Sequence, residues 1–178
     1  MIPAAIARAL CSPPLEASTF IPTKWDTAED KAWFGNSLLK FLAADCPLTG
    51  FTNRLYRRLS MTFGHIAHHD RLGFYQNFFE DNSGKIDFLR QTLRRPCYGD
   101  PHYTYSDLER AVIARLTASG LLHFYEARLH AANEQAEQAE FQRLKAKYEP
   151  AADKAPMAAH TTCDPLPLRH GDLFGLTS

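Results

Sequence analysis

Between Trp25 and Tyr148 the apolar residues recur at spacings of three and four, and nowhere do they alternate over a useful length. That period puts one apolar stripe on each of a series of helices and leaves no segment fit for a half-buried strand. The expected fold is all-α: a compact bundle of five to seven helices, with a long C-terminal helix and a flexible tail. Three parts are expected, an N-terminal arm over 1–24, a helical domain over 25–148 and the tail over 149–178.

Punctuation divides the stripe. The first helix follows Trp25, capped either by Asp26 with Glu29 or by Thr27 with Asp30, and stops at Cys46 before Pro47. Ala32, Trp33, Phe34, Leu38, Leu39, Phe41 and Leu42 give it a broad buried face. A second helix is predicted from about Thr52 to Ala67, burying Phe51, Leu55, Leu59, Thr62, Phe63 and Ile66. A short aromatic helix follows over Phe74 to Glu80, ended by Asn82-Ser83-Gly84. Ser83 then caps a helix over Lys85 to Arg95. Ser106 and Glu109 read as a capping box for the next, with Leu108, Val112 and Leu116 inward and Gly120 as its break.

The last helix, Leu121 to Tyr148, begins amphipathic at Leu122, Tyr125 and Leu129, then dwindles to Ala132, Ala136 and Ala139. At 1.5 Å per residue it would run roughly 42 Å, longer than one small domain covers. Its distal half is therefore expected to project or to pair with another chain, although Arg143 breaks the heptad register of a long coiled coil. The tail carries four prolines and no helical period, and its end, Leu166 to Leu176, has apolar residues suited to a docking segment.

Lys plus Arg and Asp plus Glu number 20 each, so the chain carries no bulk positive charge to drive nonspecific nucleic-acid binding. The four cysteines, Cys11, Cys46, Cys97 and Cys163, stand singly and form neither a disulfide framework nor a zinc ribbon. No apolar run reaches the roughly 18 residues of a bilayer span, and the first eleven residues lack a signal-peptide pattern. A cytoplasmic protein with reduced thiols is the expectation, with no membrane association.

The richest candidate site is the stretch from Phe63 to Phe79. His65, His68 and His69 would be neighbours at i, i+3 and i+4 on a helix, where neutral imidazoles can share an ion and Asp70 can add an oxygen. Cys97 and His102 could complete such a set. There is no H-E-x-x-H, however, and the plainer role is structural, with His65 and His69 flanking a core stripe and stacking on Tyr75 or Phe78. No metal and no cofactor are therefore assigned.

Arginines form two patches, Arg54/Arg57/Arg58 and Arg90/Arg94/Arg95, able to contact phosphates bidentately, although solvated helix faces with salt bridges to the chain's own carboxylates are the plainer reading. Trp25, Trp33, Phe34, Phe74, Tyr75, Phe78 and Phe79 are expected in the core. Phe78 and Phe79 would diverge by about 100° on a helix, leaving one exposed. Nucleotide-binding glycine motifs and the nucleophile elbow are absent from the sequence.

The expected function is a non-enzymatic, accessory or regulatory interaction protein that binds another macromolecule, most simply a protein. Its surface would include Arg54, Arg58, His65, His68, His69, Tyr75 and Phe78. The alternatives are a nucleic-acid-binding helical module and a metal-dependent enzyme centred on His65, His68 and His69.

Overall fold

A computed structural model of the chain describes residues 1–62, 70–94 and 99–149, with Ser60 and Met61 described by backbone alone. Among these residues there are seven α-helices and no strand: α1 (Ala4–Cys11), α2 (Ala28–Ala43), α3 (Asn53–Thr62), α4 (Arg71–Phe78), α5 (Asn82–Arg94), α6 (Ser106–Ser119) and α7 (Leu121–Tyr148). Short 3-10 turns at Ala17–Thr19 and Leu48–Gly50 precede α2 and α3. The all-α expectation holds. The predicted extension of α3 to Ala67, the histidines 65, 68 and 69, Arg95, Cys97 and residues 150–178 of the tail lie outside the described residues.

The chain divides after Glu137 into two compact units. In the first, α2 lies against α1, α3 and α6, while α4 packs on α5 and α5 on α6. The first helix was predicted to reach Cys46 but ends at Ala43, because Asp45 and Cys46 both turn left-handed (φ 66° and 58°). That conformation is costly for residues other than glycine and persists only when neighbours fix it. Here Cys46 N–H reaches back to Phe41 O at 3.1 Å, and the Tyr75 hydroxyl donates to Cys46 O at 2.8 Å.

Caps set the other boundaries. For α2 the Thr27/Asp30 alternative is correct: Thr27 Oγ1 accepts from Asp30 N–H at 3.2 Å and Asp30 Oδ2 accepts from Thr27 N–H at 3.3 Å. Helix α4 starts at Arg71, three residues before the predicted Phe74, because Asp70 Oδ1 accepts from Leu72 and Gly73 N–H, both at 2.8 Å. Asp81, not Ser83, caps α5 through the Gly84 N–H at 2.7 Å. The Ser106/Glu109 capping box does not form. Ser106 is already helical, buried, and donates its hydroxyl to Gly99 O at 2.7 Å.

The core centres on aromatic rings. Phe51 lies within 5.2–6.1 Å, ring centre to ring centre, of Phe41, Tyr56, Phe74, Tyr75 and Phe79. Gly84 lets α5 approach α4, since a Cβ there would stand 2.4 Å from Asn77 O. Phe78 and Phe79 are both buried, at 6% and 1% exposure, so neither offers the exposed ring expected. Phe79 has left the helix (φ −128°, ψ −7°), and the 100° separation of helical neighbours does not apply to it. Gly120, at φ 68°, makes the sharp break between α6 and α7.

The N-terminal arm is fastened at three places. Arg115 donates to the open carbonyls after α1, Ser12 O at 2.7 Å and Pro13 O at 2.5 Å. Asn36 pairs with the backbone of Leu15 in both directions, accepting N–H at 2.8 Å and donating to C=O at 2.9 Å. Asp107 Oδ2 accepts from Ile21 N–H at 2.9 Å. Ile2, Leu10 and Phe20 of this arm are buried in the core.

A polar hub closes the end of α2. Asp45 accepts from Lys85 Nζ at 3.0 Å, the Tyr125 hydroxyl at 3.1 Å and Arg128 at 2.9 Å. Partial burial disfavours its charge, but the bonds from Arg128, Lys85 and Tyr125 outweigh burial and hold the carboxyl down at about 2. Its unfolded value is about 3.9, so its contribution to stability is full above about pH 4 and is lost as the pH falls towards about 2. Asp45→Asn is therefore expected to flatten the fall of melting temperature across that interval. An unchanged acid limb in thermal melts would refute this.

In the second unit, residues 138–148 are helical and every side chain of residues 138–149 is exposed. Arg143 grips Glu140 through two bonds of 2.6 Å, and Phe141, Leu144 and Tyr148 face solvent. No described helix is long and apolar enough to cross a membrane.

Candidate functional site

Where the chain enters α2, Thr23 clasps the backbone. Its Oγ1 accepts from Trp25 N–H at 3.2 Å and Asp26 N–H at 3.0 Å, while Thr23 N–H donates to Asp26 O at 2.8 Å. This tight turn sends the Asp26 side chain inward and Trp25 outward. Trp25, expected in the core, is 67% exposed. The sequence offered no phase for it, since it precedes the helix whose period would have set its direction.

Helix α3 presents Arg54, Arg57 and Arg58 at i, i+3 and i+4, hence on one face. With Trp25, Asp26 and Asn53 they line an open cleft of about 440 Å³. The three arginines differ in their commitments. Arg58 is ion-paired with Asp26, a carboxylate only 5% exposed that also accepts the Tyr105 hydroxyl. Arg54 lays its guanidinium over the Trp33 ring, 3.5 Å from the ring centre, with Asp30 3.8 Å away. Arg57 is exposed and makes no ion pair among the described residues.

Electrostatics fixes the floor of the cleft. Burial opposes the Arg58 charge, yet the hydrogen bond and charge of Asp26 more than compensate, and its pKa is raised. Burial, then the Asp26 hydrogen bond and charge, push Tyr105 up to about 12. At neutral pH a protonated Tyr105 and a cationic Arg58 therefore hold Asp26 together. In the loop ahead of α6, Tyr105 is half-buried against the domain, whereas Tyr103 stays exposed.

Comparison with family models, with curated proteins and with solved structures finds no match.

Of the sequence-predicted site residues, Arg54 and Arg58 meet at this cleft. Tyr75 is half-buried, with its hydroxyl on Cys46 O, and Phe78 belongs to the core, so these two do not extend the arginine face. His65, His68 and His69 lie outside the described residues. No group of three His, Cys, Asp or Glu among the described residues is placed to hold a metal ion. The Cys46 thiol, raised to about 12 chiefly by burial, stays protonated beside Tyr125. In the second arginine patch, Arg90 is paired with Glu126 at 2.8 Å and Arg94 is exposed. Trp25 and Asn53 were missed as site residues; the Thr-x-Trp-Asp turn ahead of the helix cap was the available signal.

Proposed function

We propose that this chain is a non-catalytic interaction protein that docks a protein partner on the face carrying the Trp25–arginine cleft. The observation that supports this most is Trp25, held out by the Thr23 clasp at the mouth of a cleft lined by three arginines. An exposed indole forgoes the burial available to so large a ring, and Trp and Arg are the residues that dominate interface energetics.

A protein partner fits better than a nucleic acid. Asp26 and Asp30 stand among the guanidiniums and offset much of their charge. A polyanion gains affinity by releasing counterions from many uncompensated contacts, and few are available here. With Arg90 tied to Glu126 and no net charge overall, the chain has little to offer a phosphate backbone.

The test is retention from a nuclease-treated lysate of the source organism by the immobilised full-length chain, beside its Trp25→Ala variant, with retained proteins identified by mass spectrometry. A specific protein retained by the wild type and lost with the variant is expected. Identical retained sets, or retention abolished by the nuclease, would overturn the reading.

A further inference from the structure

The cleft also specifies which element of a partner it takes, an inference that rests on the protein-docking reading above. Arg58 is spent on Asp26 and acts as a positioning residue. The Arg54 face is covered by Trp33, but stacking leaves the N–H edges of a guanidinium free to donate in its own plane. Its nearest carboxylate, Asp30, is 3.8 Å off, beyond a good hydrogen bond. Arg57 adds a second fork one helical turn along. The site thus offers two forked donors whose Cβ atoms are about 5–6 Å apart, as for any i, i+3 pair on a helix.

Planar forks of this kind match carboxylates two bonds at a time. Beside them Trp25 offers an aromatic face, and Asn53 carries an amide with both a donor and an acceptor for a peptide main chain. Three guanidiniums against Asp26 and Asp30 leave a small local surplus of about one positive charge, which suits a short segment with a few carboxylates better than a long polyanion. We propose that the cleft binds a short acidic peptide segment of a partner protein, with carboxylates on Arg54 and Arg57 and an adjacent apolar side chain against Trp25.

The probes are fluorescein-labelled decapeptides with a Glu-Glu-Phe-Glu centre, their Gln-Gln-Phe-Gln counterparts and a single-stranded DNA 20-mer, titrated onto the full chain by anisotropy. The acidic peptide is expected to bind, and the Gln counterpart to bind at least about tenfold more weakly, the loss of one charge-assisted contact. Arg57→Glu should abolish acidic-peptide binding and Trp25→Ala should weaken it about tenfold. Arg94→Glu, on α5, should leave it unchanged. Both cleft side chains are exposed, and circular dichroism melts of the variants serve as the control for folding.

Equal binding of acidic and Gln peptides, indifference to Arg57→Glu, or tighter competing binding of the DNA would each overturn the proposal. If the peptides fail while Trp25→Ala still abolishes partner retention, the acidic ligand falls and the docking face stands. If Trp25→Ala changes neither, both fall.

Discussion

Exchanging Lys31 for methionine is expected to destabilise the fold by about 3–5 kcal/mol. Lys31 lies on the buried side of α2 with its side chain 0% exposed, a place where an ammonium ion survives only if every proton finds an acceptor. It does: Nζ donates to Pro101 O at 3.1 Å, Thr104 O at 3.2 Å and Asp107 Oδ1 at 2.8 Å. Methionine keeps the length and volume of the stem but removes the charge, leaving two carbonyls unpaired and the largely buried Asp107 without its cation. In a chain of this size such a loss lowers the melting temperature by roughly 10 °C. Urea denaturation gives the free energy directly, and a loss below about 1 kcal/mol would show that the ammonium is not the tie it is taken to be. Pairing Lys31→Met with Asp107→Asn should recover part of the loss, because the orphaned charge goes while the amide oxygen can still accept from Ile21 N–H.

The second large effect is expected at Phe51. Truncation to alanine should cost about 3–5 kcal/mol, the range for emptying a buried aromatic site. The neighbours cannot close the space, because Phe41 on α2 and Phe74 and Phe79 on α4 and its C-terminal end are rigid rings packed on Phe51. Phe51 O also accepts from Arg71 at 2.8 Å, so collapse of the backbone would strain the start of α4. Phe51→Leu should fall between wild type and alanine in the same urea titration. An alanine variant as stable as leucine would mean that the rings do repack.

What the sequence made legible follows from where the determining contacts lie. Helix identity is written locally, in stripes such as Phe34, Leu38, Leu42 and Leu108, Val112, Leu116, and these stripes are buried as expected. Helix ends were less legible because several residues nearby can cap. Asp81 took the cap given to Ser83, Asp70 started α4 three residues ahead of the predicted Phe74, and Ser106 lies inside α6 with its hydroxyl on Gly99 O. Nothing local in the sequence marks Lys31 as buried, since its acceptors come from a loop some 70 residues later. In the candidate site, Arg54 and Arg58 were legible from their helical spacing alone. Trp25 was not, because its direction depends on one hydroxyl of Thr23.

The two-way bond between Asn36 and Leu15 has a consequence for the arm as a whole. A primary amide offers one donor and one acceptor side by side, as a peptide group does, so Asn36 acts as a single rung of sheet set on a helix. An extended chain presents N–H and C=O on the same side only at every second residue, and a slip of one residue reverses its faces. The same Leu15 places its side chain over Gly35, where an added Cβ would stand 2.7 Å from Leu15 Cδ1. Backbone and side chain of one residue are thus read together by two adjacent positions of α2. The arm has an address on that helix, and sliding along it is not among its options.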